Sequence, residues 1–133
     1  MLKGLINKDK VIFGNELDKK TKFISPTILD QVTWDDKVMK EEIFGPILPI
    51  LVYDNLDEVI KVIKDKDKPL ALYLFSNDKK VVQKVFNEIS FGNGAINDTL
   101  MQVANPHLPF GGVGMSGMGV YHGYASFLTF SNQ

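Results

Sequence analysis

Residues 70–97 read LALYLFSNDKKVVQKVFNEISFGNGAIN, and this stretch predicts the fold. Residues 70–75 are an apolar run of strand length. Ser76 or Asn77 can cap the helix that follows, because apolar residues recur at helical spacing over residues 81–89. Gly92 and Gly94 end that helix, and residues 95–97 form a short further strand. The stretch therefore indicates a strand, a crossover helix and a second strand.

The same alternation extends toward the N-terminus. Residues 47–53 are almost continuously apolar, as in a strand that is covered on both faces. Asn55 and Glu58 have the spacing of a capping box, and apolar residues recur at helical spacing over residues 56–63. Strands that alternate with helices predict an α/β fold, with a three-layer parallel sheet and crossover helices. We expect residues 1–133 to form a single partial domain.

The composition excludes several classes of protein. The formal net charge is -1, which gives no strong field for nucleic acid or an anionic membrane surface. The 133 residues contain no cysteine, which excludes disulfides, thiolate metal sites and a cysteine nucleophile within this chain. The sequence contains no apolar run of membrane-spanning length and no signal-peptide pattern, so we expect a cytoplasmic protein.

A glycine-rich motif lies near the C-terminus. Residues 112–117, GVGMSG, match the GxGxxG spacing of dinucleotide-binding loops. That interpretation needs a strand before the motif, a helix after it and an acidic residue further on, and the sequence provides none of them. We predict instead a loop whose backbone passes close to another segment. His107 and His122 lack metal-binding neighbours, so we predict structural roles for both and no metal site.

Residues 41–46, EEIFGP, allow two interpretations. The first is a short helical turn that Gly45 and Pro46 terminate. In the second, one carboxylate points into a crevice, where an acceptor-only group suits a ligand with two hydroxyl donors, such as a ribose diol. Phe44 would then offer a flat face to a planar ring. The residues alone leave both interpretations open.

Three stretches together resemble a known family. They are EEIFGPILPI (41–50), KPLALYLFSND (68–78), and the region from Asn97 through LPFGGVGMSGMGVYHG to SFLTFS. They resemble the C-terminal part of aldehyde dehydrogenases, and most of all the class 3 branch of fatty and aromatic aldehyde dehydrogenases. The resemblance extends from Val11 to Ser131.

The resemblance implies roles for individual residues. Glu42 would hold the hydroxyls of the nicotinamide ribose of NAD or NADP, and Phe44 would lie near the nicotinamide ring. Asn97 would border the substrate passage and Phe110 would line it. The loop between them, residues 99–109, would shape substrate choice.

The resemblance also implies what this chain lacks. The family's reaction, aldehyde to carboxylic acid, needs a cysteine nucleophile and a water-activating glutamate, and both lie upstream of the EEIFGP motif. We therefore expect a C-terminal fragment with no catalytic residue of its own, inactive alone, with an upstream aldehyde dehydrogenase fragment as a possible partner. The final segment, residues 125–131, would be a strand that reaches a neighbouring subunit of a homo-oligomer. The alternatives are a non-catalytic interaction module and a weak nucleotide binder, which would lack the cofactor domain.

Overall fold

The computed structural model describes residues 2–131 and divides the chain into two compact units, residues 1–54 and residues 55–133. The single domain predicted over residues 1–133 stays a prediction. Between residues 2 and 131, no helix is both long enough and apolar enough to cross a membrane.

The first unit is built on a mixed three-stranded sheet. Its strands are β1 (Val11–Phe13), β4 (Thr27–Leu29) and β5 (Ile47–Pro49), with β4 in the middle. Strand β1 pairs with β4 in antiparallel orientation, whereas β5 runs parallel to β4. A separate antiparallel pair consists of β2 (Leu17–Asp18) and β3 (Phe23–Ile24). Short 3-10 helices occupy Leu2–Leu5, Lys8–Lys10 and Lys37–Met39.

The core of the first unit is apolar and small. Its buried side chains are those of Leu5, Leu29, Val32, Val38 and Ile47. Ser25 and Thr27 are the buried polar residues of this unit among those described, and the hydroxyl of Thr27 donates to Ser25 O at 2.9 Å and accepts from the backbone N–H of Asn15 at 3.0 Å. These two hydrogen bonds satisfy the hydroxyl, as burial of a polar group requires.

Asp36 joins the beginning of β1 to the turn that precedes the third 3-10 helix. Its carboxylate accepts from Lys10 Nζ at 2.6 Å, and from the backbone N–H and the hydroxyl of Thr33 at 2.6 and 3.0 Å. The side chains of Lys10 and Asp36 are only 23% and 18% exposed. Shielding from water makes this ion pair stronger than an ordinary surface pair.

The second unit contains a parallel strand pair joined by a helix. Strand β6 (Ala71–Leu74) leads through helix α2 (Lys79–Glu88) to β7 (Asn93–Ile96), with Ala71 opposite Asn93 and Leu74 opposite Ile96. In the same unit, helix α1 (Leu56–Lys64) precedes β6, and β7 is followed by α3 (Met101–Ala104), a 3-10 helix at Gly114–Ser116 and α4 (Gly123–Phe130).

Helices α1 and α2 are capped and tied to each other. Asn55 Oδ1 accepts from the N–H groups of Asp57 and Glu58, at 2.9 and 3.4 Å, as the capping pattern predicts. The N-cap of α2 is Asp78, rather than the predicted Ser76 or Asn77.

Ion pairs connect the two helices. Lys84 Nζ of α2 lies 2.8 Å from the Asp57 carboxylate of α1 and 2.9 Å from the Glu88 carboxylate. These two carboxylates raise the pKa of Lys84. The buried core of this unit consists of Ile60, Val85 and Ile89.

The predicted α/β class is confirmed, with mixed sheets, but the strands do not share one parallel sheet. Within residues 2–131, β5 pairs with β4 in the first unit, and β6 pairs only with β7. The apolar run over residues 47–53 contains Pro49, which has no N–H to donate, and the strand ends there. The three-layer arrangement stays a prediction.

The predicted strand over residues 125–131 is wrong, because this segment forms helix α4, Gly123–Phe130. Local polar contacts favour the helix. Ser126 Oγ accepts from the backbone N–H of His122 at 2.8 Å, and the Thr129 hydroxyl lies 2.9 Å from Ala125 O. A helix satisfies its backbone groups within the segment, whereas a strand needs a neighbour to pair with.

We expect Asp36→Asn to lower the free energy of unfolding at neutral pH, and to lower it less as the solution becomes acidic. The Lys10 ammonium and the Thr33 donors lower the pKa of Asp36 from 3.8 to about 2 in the folded chain. A carboxyl with a depressed folded pKa stabilises the protein above its unfolded pKa. That contribution is lost as the pH falls from 3.8 toward about 2. Urea unfolding across this pH range measures it.

Asp35→Asn is the matched control. The Asp35 carboxylate lies 3.3 Å from Lys40 Nζ but is 99% exposed, so we expect little change in stability at any pH. Equal losses in both variants would contradict the prediction, as would an Asp36→Asn loss that persists at about pH 2.

Candidate functional site

The EEIFGP segment is anchored at its centre and exposed on both sides of that anchor. Ile43 packs against the core of the first unit, while Glu42 and Phe44 project into solvent. The end of the segment is fixed, because Pro46 O accepts a hydrogen bond from the N–H of Thr27 at 2.8 Å, next to the pairing of β4 with β5. Burial of the isoleucine therefore presents the flanking carboxylate and ring outward.

The Glu42 carboxylate makes no hydrogen bond or ion pair to any residue in the described part of the chain. Both of its oxygens are free to accept hydrogen bonds. A free, exposed carboxylate fits a ligand that offers adjacent hydroxyl donors, as a ribose does. The Glu42 carboxylate, which the sequence pattern singles out, is therefore available to a ligand.

Phe44 adopts a backbone conformation that is unfavourable for a bulky residue. Its φ is +42°, in the left-handed region, and its side chain is 81% exposed. Left-handed φ brings Cβ close to the following carbonyl oxygen, at a cost of about 1–2 kcal/mol. No burial of the ring compensates for this cost. Strain of this kind is typical of binding sites, where a side chain must be held in a particular direction.

Asn97 lies at the carboxyl end of β7 and closes the parallel pair. Its Oδ1 accepts from Ser76 N–H at 2.8 Å, and its Nδ2 donates to Ser76 O at 3.1 Å. Its backbone N–H donates to Leu74 O at 2.8 Å. The carboxamide therefore continues the β6–β7 ladder by one step, and one Nδ2 hydrogen remains for another acceptor.

Phe110 is half-buried in the wall of an open apolar cavity of about 530 Å³ in the second unit. Its backbone N–H and C=O both pair with Tyr121, at 2.9 Å each. Its ring meets Tyr121 edge to face at 5.7 Å and stacks on His122 at 6.2 Å. Phe110 and Tyr121 both line this cavity.

The glycine-rich loop follows Phe110 and confirms the predicted close backbone approach. A Cβ on Gly112 would collide with Ser116 O, and one on Gly111 would collide with Gly119 O. Helix α4 begins only at Gly123, so no helix opens directly after the motif. This geometry does not match a dinucleotide-binding turn.

The four predicted site residues fall into two pairs. Glu42 and Phe44 lie together in the first unit, and Asn97 and Phe110 belong to the second. Their roles stay predictions. Asn93 and Tyr121 both bond to the segment that carries Phe110, and neither was predicted from the sequence as a site residue. The only sequence signal was the pair of asparagines that bounds the short strand in GNGAIN, residues 92–97.

Neither histidine lies in a metal cluster. His107 is exposed, and His122 Nδ1 lies 3.3 Å from Leu108 O. Among residues 2–131, no three potential metal ligands come together.

Phe44→Gly should raise the free energy of unfolding relative to Phe44→Ala by about 1 kcal/mol, because glycine adopts positive φ without a Cβ clash. The exposed ring loses little burial in either variant. Chemical denaturation of the two variants measures the difference.

Val52 provides the matched control, since it is 80% exposed but is not among the residues with positive φ. There we expect the opposite order, with Val52→Gly about 0.5 kcal/mol less stable than Val52→Ala. The same order at both positions would show that Phe44 carries no backbone strain.

Comparison with known proteins identifies the family of this chain. Residues 3–133 match the aldehyde dehydrogenase family. The 4,4'-diaponeurosporen-aldehyde dehydrogenase of Staphylococcus aureus (strain NCTC 8325 / PS 47) is 58% identical over 134 residues, covering 99% of this chain and 29% of that protein. Aldehyde dehydrogenase family 3 member A2 of Mus musculus is 52% identical over 132 residues, covering 99% of this chain and 27% of that protein.

Solved structures agree as well. One described as the substrate bound state of Staphylococcus aureus AldH has a TM-score of 0.94 at 59% identity, covering 97% of this chain and 29% of that one. Solved relatives include NAD-dependent and NADP-dependent enzymes. The chain spans less than a third of the length of these relatives. By sequence and by structure, the chain belongs to the aldehyde dehydrogenase family.

Proposed function

We propose that this chain is the C-terminal part of an NAD(P)-dependent aldehyde dehydrogenase, and that it supplies cofactor and substrate contacts without supplying the nucleophile. The observation that carries the proposal is the EEIFGP segment, which holds Glu42 and Phe44 outward around the half-buried Ile43. An unbonded carboxylate beside a projecting aromatic ring suits a nicotinamide riboside better than it suits a purely structural turn.

In this proposal, two residues contact the cofactor. The Glu42 carboxylate accepts hydrogen bonds from the ribose diol and so fixes the sugar, and the Phe44 ring limits where the nicotinamide can lie. When bound, NAD or NADP supplies the hydride acceptor for aldehyde oxidation. The strained Phe44 backbone favours a fixed ring direction over free rotation, which is useful for orienting a planar group.

The chain is inactive by itself in this proposal. Oxidation through a covalent intermediate needs a thiolate, and the 133 residues contain no cysteine. An upstream aldehyde dehydrogenase segment supplies that nucleophile and the group that activates water. Asn97 and Phe110 then border the path by which the aldehyde reaches the nucleophile, and the 99–109 loop, which carries α3, adjusts its width.

A second candidate is a non-catalytic interaction module that forms a homo-oligomer. It is favoured by the exposed aromatic side chains of α4, which are those of Tyr124, Phe127 and Phe130. Strands β6 and β7 also form a sheet of only two strands, which leaves outer edges open to pairing. Light scattering should then give a mass above that of one chain, 14.9 kDa. A single-chain mass at micromolar concentration would contradict this candidate.

The test of the proposed function is a chimera in which this chain replaces the matching C-terminal part of the Staphylococcus aureus relative. We expect NADH or NADPH formation from aldehydes by the chimera and none by the chain alone. Turnover by the chain alone would overturn the proposal, and so would an inactive, folded chimera beside an active parent enzyme.

Glu42→Ala in the chimera should raise the KM for the cofactor about tenfold to a hundredfold, as expected for loss of a charged hydrogen-bond acceptor. Glu41→Ala is the matched control, since it removes the adjacent exposed carboxylate and should change the KM little. Equal effects of the two variants would contradict the role assigned to Glu42.

Binding of NAD by the chain alone tests the nucleotide-binder alternative. Two contacts should give about millimolar affinity or none, so micromolar binding would favour a nucleotide binder.

A further inference from the structure

The Asn93 side chain bonds to the peptide groups on both sides of Phe110. Its Nδ2 donates to Pro109 O at 3.0 Å, and its Oδ1 accepts from Gly111 N–H at 3.0 Å. A carboxamide carries a donor and an acceptor side by side, so it can pair with a backbone segment as another strand would. Asn93 thus acts as a two-point clamp on the segment that carries Phe110.

The clamp is itself fixed to the sheet. Asn93 is the first residue of β7, and its backbone N–H donates to Leu70 O at 2.9 Å. The neighbouring N–H of Gly92 donates to Pro69 O at 3.0 Å. A Cβ on Gly92 would collide with Gly111 O, so the loop lies directly against the beginning of this strand. Movement of the carboxamide therefore requires movement of the strand pair.

Together with Tyr121, the clamp removes the backbone freedom of Phe110. Tyr121 occupies the N–H and C=O of Phe110 on one side, and Asn93 occupies the flanking Pro109 O and Gly111 N–H on the other. Four consecutive hydrogen-bonding groups are therefore satisfied by two partners. With its backbone held, the Phe110 ring can move only about its side-chain torsions, which Tyr121 and His122 restrict.

We propose that Asn93 is a positioning residue that sets the selectivity of the site for bulky over small aldehydes, through Phe110. This inference rests on the proposed function, in which Phe110 lines the aldehyde passage. A fixed ring gives an aromatic aldehyde a flat surface to pack on, whereas a small aliphatic aldehyde hardly reaches it. Release of the clamp weakens binding of the bulky substrate and leaves the chemical step unchanged.

The clamp is tested in the 133-residue chain by hydrogen exchange of the Gly111 amide, measured by NMR. We expect Asn93→Ala to lose the protection of this amide. In Asn93→Asp the ionised carboxylate can accept from Gly111 but repels Pro109 O, so protection is partial. Below about pH 4 the protonated carboxyl can again donate to Pro109 O, and protection should recover.

Two controls separate this effect from general destabilisation. Asn55→Ala removes two side-chain hydrogen bonds that cap α1 in the same unit, and it should not lower Gly111 protection selectively. His122 and Tyr121 are the titratable groups that contact Phe110, and both are present in the unsubstituted chain measured over the same pH range. Equal protection of the Gly111 amide in the unsubstituted chain and in Asn93→Ala would contradict the clamp.

Selectivity is tested in the chimera with benzaldehyde and acetaldehyde. Asn93→Ala should raise the KM for benzaldehyde about tenfold, the factor that corresponds to 1.4 kcal/mol, with kcat and the acetaldehyde KM nearly unchanged. An active chimera with an unchanged ratio of the two KM values would overturn the inference and leave the proposed function standing. An inactive unsubstituted chimera would overturn the proposed function and the selectivity role with it, whatever the exchange experiment shows about the clamp.

Discussion

Parallel pairing of β6 and β7 is the constraint on which the position of Phe110 in this chain depends. Parallel strands cannot be joined by a tight turn, so α2 connects β6 to β7, and other groups must bond to the backbone at the two ends of the pair. Asparagine side chains do so. Asn97 continues the ladder to Ser76 at one end, and Asn93 holds the Phe110 segment at the other. The position of Phe110 therefore follows from the register of one strand pair.

The EEIFGP segment depends on a different feature, which is the partial burial of one residue between two exposed ones. Ile43 enters the core of the first unit, and its neighbours are thereby directed into solvent. A flexible loop could expose the same side chains, but it would not hold Phe44 in a left-handed conformation. Such strain persists only where the surrounding structure determines the backbone on both sides. Here the 3-10 helix before the segment and the β4–β5 ladder after it do so.

Much of the second unit could be predicted from its sequence because period and capping agree there. Asn55 caps α1 as predicted, and strong amphipathic spacing places α1 and α2 correctly. Helix α4 was missed because it is apolar on nearly every face, so its aromatic residues resemble a strand and give no helical period. Ser126 Oγ accepts from the N–H of His122, and the Thr129 hydroxyl donates to Val120 O, and no hydrophobic period in the sequence indicates these contacts with the turn before the helix.

The candidate site divides in the same way. Glu42 and Phe44 were singled out because their side chains carry suitable chemistry next to a glycine–proline stop, in a motif that resembles one of the family, and their roles stay predictions. The part played by Asn93 could not be predicted, since an asparagine near glycines is typical of any turn. Only the folded chain brings its carboxamide to Pro109 and Gly111, sixteen and eighteen residues away. Contacts of such sequence separation leave no local pattern.

Apolar exposure links the stability of this chain to its function. Among residues 2–131, the buried cores contain five hydrophobic residues in the first unit and three in the second, while Met118 and Phe130 are 98% and 87% exposed. Burying a side chain of this size stabilises a protein by about 1.5–3 kcal/mol. Any surface that covers them therefore contributes substantially to the order of the chain. If that surface is the remainder of an aldehyde dehydrogenase, the contact that brings the missing thiolate also stabilises the segments that carry Phe44 and Phe110. Completion of the site and stabilisation of its walls would then be the same event.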